Sequence, residues 1–289
     1  RLVVQSPDLV SDSIRIKVAT YEVDRFSNLF PYELLQSIFI YANYNKYDDP
    51  FCITRDNSGN LYVYNSPSII ERVTLQETRS EFGKLGRMKS ATQMHIGPDG
   101  ILYLVKNSDG IYRLESQGAI PTKWASTDGL VYDFDFSPDH SLYAGGKGDH
   151  LYRITQDETS RIVGDYPDTY IKAVRIFDGY VYVAGTDETD NHVYIWRQSL
   201  LQDGSLEPKE VYFDWSVQVG ELTEILCMTF AADGTLYAGT DADAGIIIIR
   251  PSGEWAPLYP GLLYPPVYSM TWGLDEFLFA SIRSQDVEK

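Results

Sequence analysis

Phe134-Asp135-Phe136-Ser137-Pro138-Asp139-His140-Ser141-Leu142-Tyr143-Ala144-Gly145 sets a pattern that the chain repeats. An apolar–polar–apolar triplet is followed by a turn, and the turn by a run that is apolar on both faces. Versions stand at 51–64 (FCITRDNSGNLYVY), 94–105 (MHIGPDGILYLV), 174–185 (VRIFDGYVYVAG), 228–239 (MTFAADGTLYAG) and 270–281 (MTWGLDEFLFAS). The turn chemistry is explicit in Gly97-Pro98-Asp99-Gly100. Proline presets φ, aspartate bonds its own backbone, and glycine takes the positive φ of a tight hairpin.

Each unit continues with a third short run, as in 110–114 (GIYRL), 150–154 (HLYRI) and 192–196 (HVYIW), and a fourth around residues such as Trp124. The anchor aromatics Tyr62, Tyr103, Tyr143, Tyr182, Tyr237 and Phe279 are separated by 41, 40, 39, 55 and 42 residues. Four strands per period of about 40 residues predict an all-β propeller. Six four-stranded blades are expected, with seven as the alternative. The long interval places an insertion at about 199–210, between the third and fourth strands of the fourth unit.

The sixth unit reaches Lys289 soon after its second strand, and a half blade would expose a strand edge. Residues 1–50 contain two alternating runs, 13–18 (SIRIKV) and 37–41 (SIFIY), with a short helix predicted in 26–36. The expected organisation is one domain, in which 1–50 supply strands that close the ring and 51–289 form the blades. The alternatives are a chain that continues beyond Lys289 or a strand received from another copy. A start at Arg1 without methionine suits either signal-peptide removal or trimming.

Asp56-Asn57-Ser58-Gly59-Asn60-Leu61-Tyr62-Val63 resembles the D-x-x-G-N-L-Y-V core of NHL, SMP-30/gluconolactonase-like and two-component-regulator-type propellers. The likeness covers roughly 51–289 and implies their architecture. The WD40 and kelch signatures are missing. SMP-30-type lactonases hold a metal with a Glu at a blade start and Asn and Asp on inner strands. The inner columns here carry no Glu and no Asn, which argues against that activity.

Formal charge is 24 − 41 = −17 with no basic cluster, so nucleic acid and anionic lipid are disfavoured partners. No apolar run approaches the roughly 18 residues of a membrane helix. The run 246–249 (IIII) is strand-sized and closed by Arg250. Cys52 and Cys227 have no metal-ligand spacing and read as small buried hydrophobes. Abundant tyrosine and aspartate suggest an exported protein, extracellular or periplasmic.

Three sets of residues could carry chemistry. Aligning first strands puts Cys52, His95, Asp135, Arg175, Thr229 and Thr271 in one column, and Pro50, Gln93, Asp133, Ala173, Cys227 and Ser269 two residues earlier. Alternation with period two puts both columns on one strand face, beside the central channel. His95, Asp135 and Arg175 read either as a channel site with Asp135 as base or cation ligand, or as a polar chain between blades.

Acidic residues crowd the D–A and B–C loops. The hairpins with Asp187, Asp190 and Asn191 and with Asp241 and Asp243 could suit Ca²⁺, though neither is an EF-hand. The third set is Trp124, Trp215 and Trp255 near outer strands, where they could stack on sugars or dock a partner, or else pack as structure. GxSxG, HExxH, P-loop and Rossmann patterns are absent.

The leading expectation is a non-catalytic binding module with no obligate cofactor, taking a protein or glycan partner on its acidic loop face. The first alternative is a metal-assisted hydrolase or lyase of the SMP-30-like kind, working in the channel. The second is a structural subunit assembled by strand exchange.

Overall fold

The computed structural model describes residues 49–66, 69–76, 78–85, 91–106, 109–220, 223–258, 265–274 and 278–282. Blade 1 is β1 (Asp49–Arg55), β2 (Leu61–Ser66), β3 (Ile69–Val73) and β4 (Arg79–Lys84). Blade 2 is β5 (Ala91–Ile96), β6 (Leu102–Lys106), β7 (Ile111–Leu114) and β8 (Thr122–Ala125). Blade 3 follows as β9 (Asp133–Phe136), β10 (Leu142–Gly145), β11 (His150–Ile154) and β12 (Ser160–Asp165). Blade 4 has the longest strands, β13 (Thr169–Phe177), β14 (Tyr180–Asp187), β15 (His192–Ser199) and β16 (Glu210–Asp214), and runs into a one-turn helix, α1 (Trp215–Gln218). Blade 5 is β17 (Ile225–Phe230), β18 (Leu236–Thr240), β19 (Ile246–Ile249) and β20 (Trp255–Pro257). A sixth sheet holds β21 (Val267–Trp272) and β22 (Leu278–Ile282).

Every sheet is an antiparallel meander in chain order. The first strands touch in a closed circle: β1, β5, β9, β13, β17, β21 and back to β1. Among the described residues there are therefore five complete blades and a two-stranded sixth sheet, not six complete ones. A seventh blade has no gap to enter. The N-terminal runs 13–18 and 37–41 and the helix expected in 26–36 lie outside the described residues.

The core sits in the seams. Each of six buried clusters joins two adjacent sheets; one packs Tyr182, Ile195 and Phe213 of blade 4 against Met228, Leu236 and Ile247 of blade 5. This explains why second strands are apolar on both faces: β6, β10 and the third strand β19 are buried at every position. Each fully buried Ile or Leu contributes about 1.5–3 kcal/mol relative to an exposed one.

Turn residues lock the anchors. The Tyr62 hydroxyl donates to Asp56 (3.1 Å) and the Tyr103 hydroxyl to Asp99 (2.9 Å). Blade 3 differs because the insertion reaches it: Tyr143 donates instead to the Gly204 carbonyl (2.8 Å), and Arg153 binds Asp139 (2.6 Å) and the Asp203 carbonyl (2.7 Å).

Candidate functional site

Strand register corrects the sequence alignment. Thr54, His95, Asp135, Arg175, Thr229 and Thr271 each pair with an anchor aromatic, so Thr54, not Cys52, occupies the first position of that row. Cys52 belongs two residues earlier with Gln93, Asp133, Ala173, Cys227 and Ser269. These six are all buried. Burial pushes both thiols up, Cys227 to about 12, which keeps them protonated.

Asp133, not Asp135, is the centre of the polar cluster. It is 0 % exposed, whereas Asp135 is half-buried. Asp133 Oδ2 accepts from Arg175 Nη1 (2.6 Å) and from the Val174 amide (2.8 Å), and Asp133 Oδ1 lies 3.6 Å from His95 Nε2. Burial alone would raise this carboxyl. The Arg175 charge, His95 and the Val174 amide outweigh it and hold the group below the usual carboxylate range. The arrangement is thus the inter-blade polar chain, with its acid one alternation earlier than the sequence alignment placed it.

A regular device links the inner strands. Asp133 and Ser269 accept from the Val174 and Ile53 amides of the next sheet round the ring. Thr54 and Asp135 do the same one step further along, with the Ile96 and Ile176 amides. Each acceptor satisfies an N–H on the free edge of an innermost strand, a group that would otherwise be orphaned.

The acidic hairpins are occupied by their own turns. Asp187 accepts from the Thr189 amide (2.9 Å) and hydroxyl (2.6 Å), and Asp190 from the His192 amide (2.8 Å) and Tyr194 hydroxyl (3.0 Å). Asn191 takes a left-handed φ of 59°. Asp241 binds the Glu224 amide (2.7 Å), while Asp243 is exposed. Among the described residues no three His, Cys, Asp or Glu side chains assemble to hold a metal ion.

The tryptophans do not make a stacking surface together. Trp124 is buried edge-on against Tyr103 at 5.1 Å. Trp215 is fully buried in α1 and donates to Thr223 (2.7 Å). Trp255 alone is substantially exposed, at 36 %.

Two aromatic stacks that the sequence pattern did not announce stand at the D–A ends of the inner strands, on opposite sides of the ring. Tyr132 stacks on Tyr170 (5.0 Å, 23°) across the seam of blades 3 and 4, and Phe51 on Tyr268 (4.4 Å, 24°) across that of blade 1 and the sixth sheet. Lys172 lies 4.2 Å over the Tyr170 ring and 3.1 Å from Glu224; Lys147 pairs with Glu188 at 3.7 Å. Burial beside Tyr170 raises the Tyr132 hydroxyl to about 12. All four rings are half-buried. Three of them, Phe51, Tyr132 and Tyr268, fall in one column, directly before Cys52, Asp133 and Ser269. That column was the available signal. The opposite, A–B face carries an open depression of about 400 Å³ floored by Phe136, Ile176 and Phe177.

An all-β ring of four-stranded antiparallel blades around a central channel is a β-propeller. Among solved structures it resembles virginiamycin B lyase from Staphylococcus aureus (TM-score 0.57, 16% identity, 82% of this chain and 79% of that one). It also resembles regucalcin from Agrobacterium tumefaciens, described as a calcium-binding protein (0.60, 13%, 78% and 78%). A third is an auxiliary nutrient binding protein from Bacteroides thetaiotaomicron (0.59, 12%, 80% and 66%). These likenesses bear out the NHL/SMP-30-like propeller resemblance at the level of fold, and they include both enzymes and binding proteins. No family model matches the chain, and no curated protein matches it by sequence.

Proposed function

We propose that this propeller is a non-catalytic binding module, exported from the cytoplasm, that takes a protein or glycan partner on its D–A and B–C loop face. The observation that supports this reading is the half-buried Tyr132–Tyr170 stack on that face, with Lys172 and Lys147 over the Tyr170 ring and paired with Glu224 and Glu188. Ring faces and edges there offer apolar contact, and Lys172, Lys147, Glu188 and Glu224 offer hydrogen bonds around them. The buried acid Asp133 is engaged by Arg175 and held ionised, a state that suits cross-blade support better than proton transfer. The same reading includes a sixth four-stranded blade whose outer strands come from residues 1–50.

Binding to immobilised glycans and extracellular proteins, compared for the wild type, Tyr170→Ala and Lys172→Ala, tests it. Loss of Tyr170 removes both the stack and the seat of Lys172, and a fall in affinity of about tenfold or more is expected, equivalent to about 1.4 kcal/mol. Folded variants that bind as the wild type does would remove this face from the function.

A further inference from the structure

Lys209, near the end of the 199–210 insertion, puts its ammonium group into a corner made of two aromatic rings. Its Nζ lies 4.4 Å over the Tyr166 ring and 5.3 Å over the Trp196 ring. The rings meet edge to face at 75°, with their centroids 5.7 Å apart, and Tyr194 tilts against Trp196 at 5.3 Å. Hydrogen bonds fix the corner: the Tyr166 hydroxyl donates to Gln198 Oε1 (2.8 Å), and Gln198 Nε2 donates to the Glu207 carbonyl (2.7 Å). Tyr166 and Trp196 are buried, whereas Lys209 is an exposed residue. The corner shares no residue with the Tyr132–Tyr170 stack.

The resident ammonium is poorly served there. Among the described residues Lys209 makes no hydrogen bond and no ion pair, although Asp187 and Asp165 act on it through space. Its three N–H donors meet ring faces instead of acceptors. Burial lowers its pKa, because the charged form gives up hydration that the rings do not replace. The negative ring faces and the two carboxylates exclude an anion. A hard metal ion would need oxygen ligands, which ring faces do not offer. A quaternary ammonium group keeps the charge, has no N–H to satisfy and presents its methyl groups to the rings.

We infer that the Tyr166–Trp196 corner is a binding site for a small quaternary ammonium compound, occupied by Lys209 until the ligand displaces it. Displacement breaks no hydrogen bond or ion pair of Lys209, only its contact with the rings. Titration of the whole chain with tetramethylammonium chloride tests this, read from the Trp196 indole N–H resonance by NMR, with Trp196→Phe assigning the signal. A saturable shift is expected in the wild type. Lys209→Ala and Lys209→Gln remove the competing charge and should bind about tenfold tighter or more, since the wild-type site is open for only part of the time. Ammonium chloride at equal ionic strength should bind more weakly than tetramethylammonium in all three proteins. No saturable shift in the folded variants, equal affinity in the variants and the wild type, or equal response to ammonium would overturn the inference.

Discussion

Asp133 and Asp135 stand two residues apart on one strand, yet only Asp133 is wholly buried. The consequences of removing them should therefore diverge. Asp133→Asn leaves the Arg175 charge buried and uncompensated, and a loss of about 3–5 kcal/mol is expected by urea unfolding. Asp135→Asn keeps an acceptor for the Ile176 amide and should change stability by less than about 1 kcal/mol. Acid should expose the same difference. The folded-state pKa of Asp133 is depressed, so its contribution is fully present above the unfolded carboxyl value near about 4 and is lost as pH falls through the lower folded value. Asp139, lowered to about 2 mainly against its own desolvation by Ser137, the Ser141 amide and Arg153, adds a weaker, partly solvated term of the same sign. Wild-type stability should therefore drop between about pH 4 and 2, and Asp133→Asn should show a shallower drop. The sequence pointed to Asp135 on this strand with His95 and Arg175 beside it, and in the structure Asp133 is the acid that Arg175 binds. The pattern missed the acid because columns show which positions share a face but not how deep each lies.

Among the elements, the blade strands were legible because the turn chemistry and two-faced apolar runs are local and repeated. What was not legible depends on contacts between blades. The aromatic stacks join residues from different sheets, such as Phe51 and Tyr268, and although Phe51, Tyr132 and Tyr268 recur in one column of the repeat, the column does not show which rings meet. The helix α1 is likewise unannounced by a period: it is one turn, capped by the Asp214 side chain on the Val217 amide and anchored by buried Trp215. The insertion at 199–210 was visible as a long interval, but its attachment was not. Gly204 has φ 77°, and a Cβ there would meet the Arg153 guanidinium 2.0 Å away. Gly204→Ala should push the hairpin off blade 3, loosening the Tyr143 and Arg153 bonds to its carbonyls, at a cost of about 1–3 kcal/mol. A guanidinium midpoint equal to the wild type would show that the hairpin is only resting on that blade.

For the whole molecule, the ring of inner strands is closed, and among the described residues the sixth sheet has no strand outside β22. β22 pairs with β21 on one side, while the five complete blades each carry two further strands outside the equivalent position. An unpaired strand edge is a template for association. The two alternating runs at 13–18 and 37–41 precede β1 in the sequence, and β1 adjoins the sixth sheet through β21 and β22. If those runs supply the outer strands, deleting residues 1–45 should lower the melting temperature and produce concentration-dependent oligomers through the bared β22 edge. Sedimentation of the deletion across a concentration series measures this, with a charged substitution at Phe279 excluded as a control because that side chain is part of the seam with blade 1. A deletion that stays monomeric and melts as the full chain does would mean that the edge is protected in another way. Oligomers of the full chain with the same stability would instead favour strand exchange between copies.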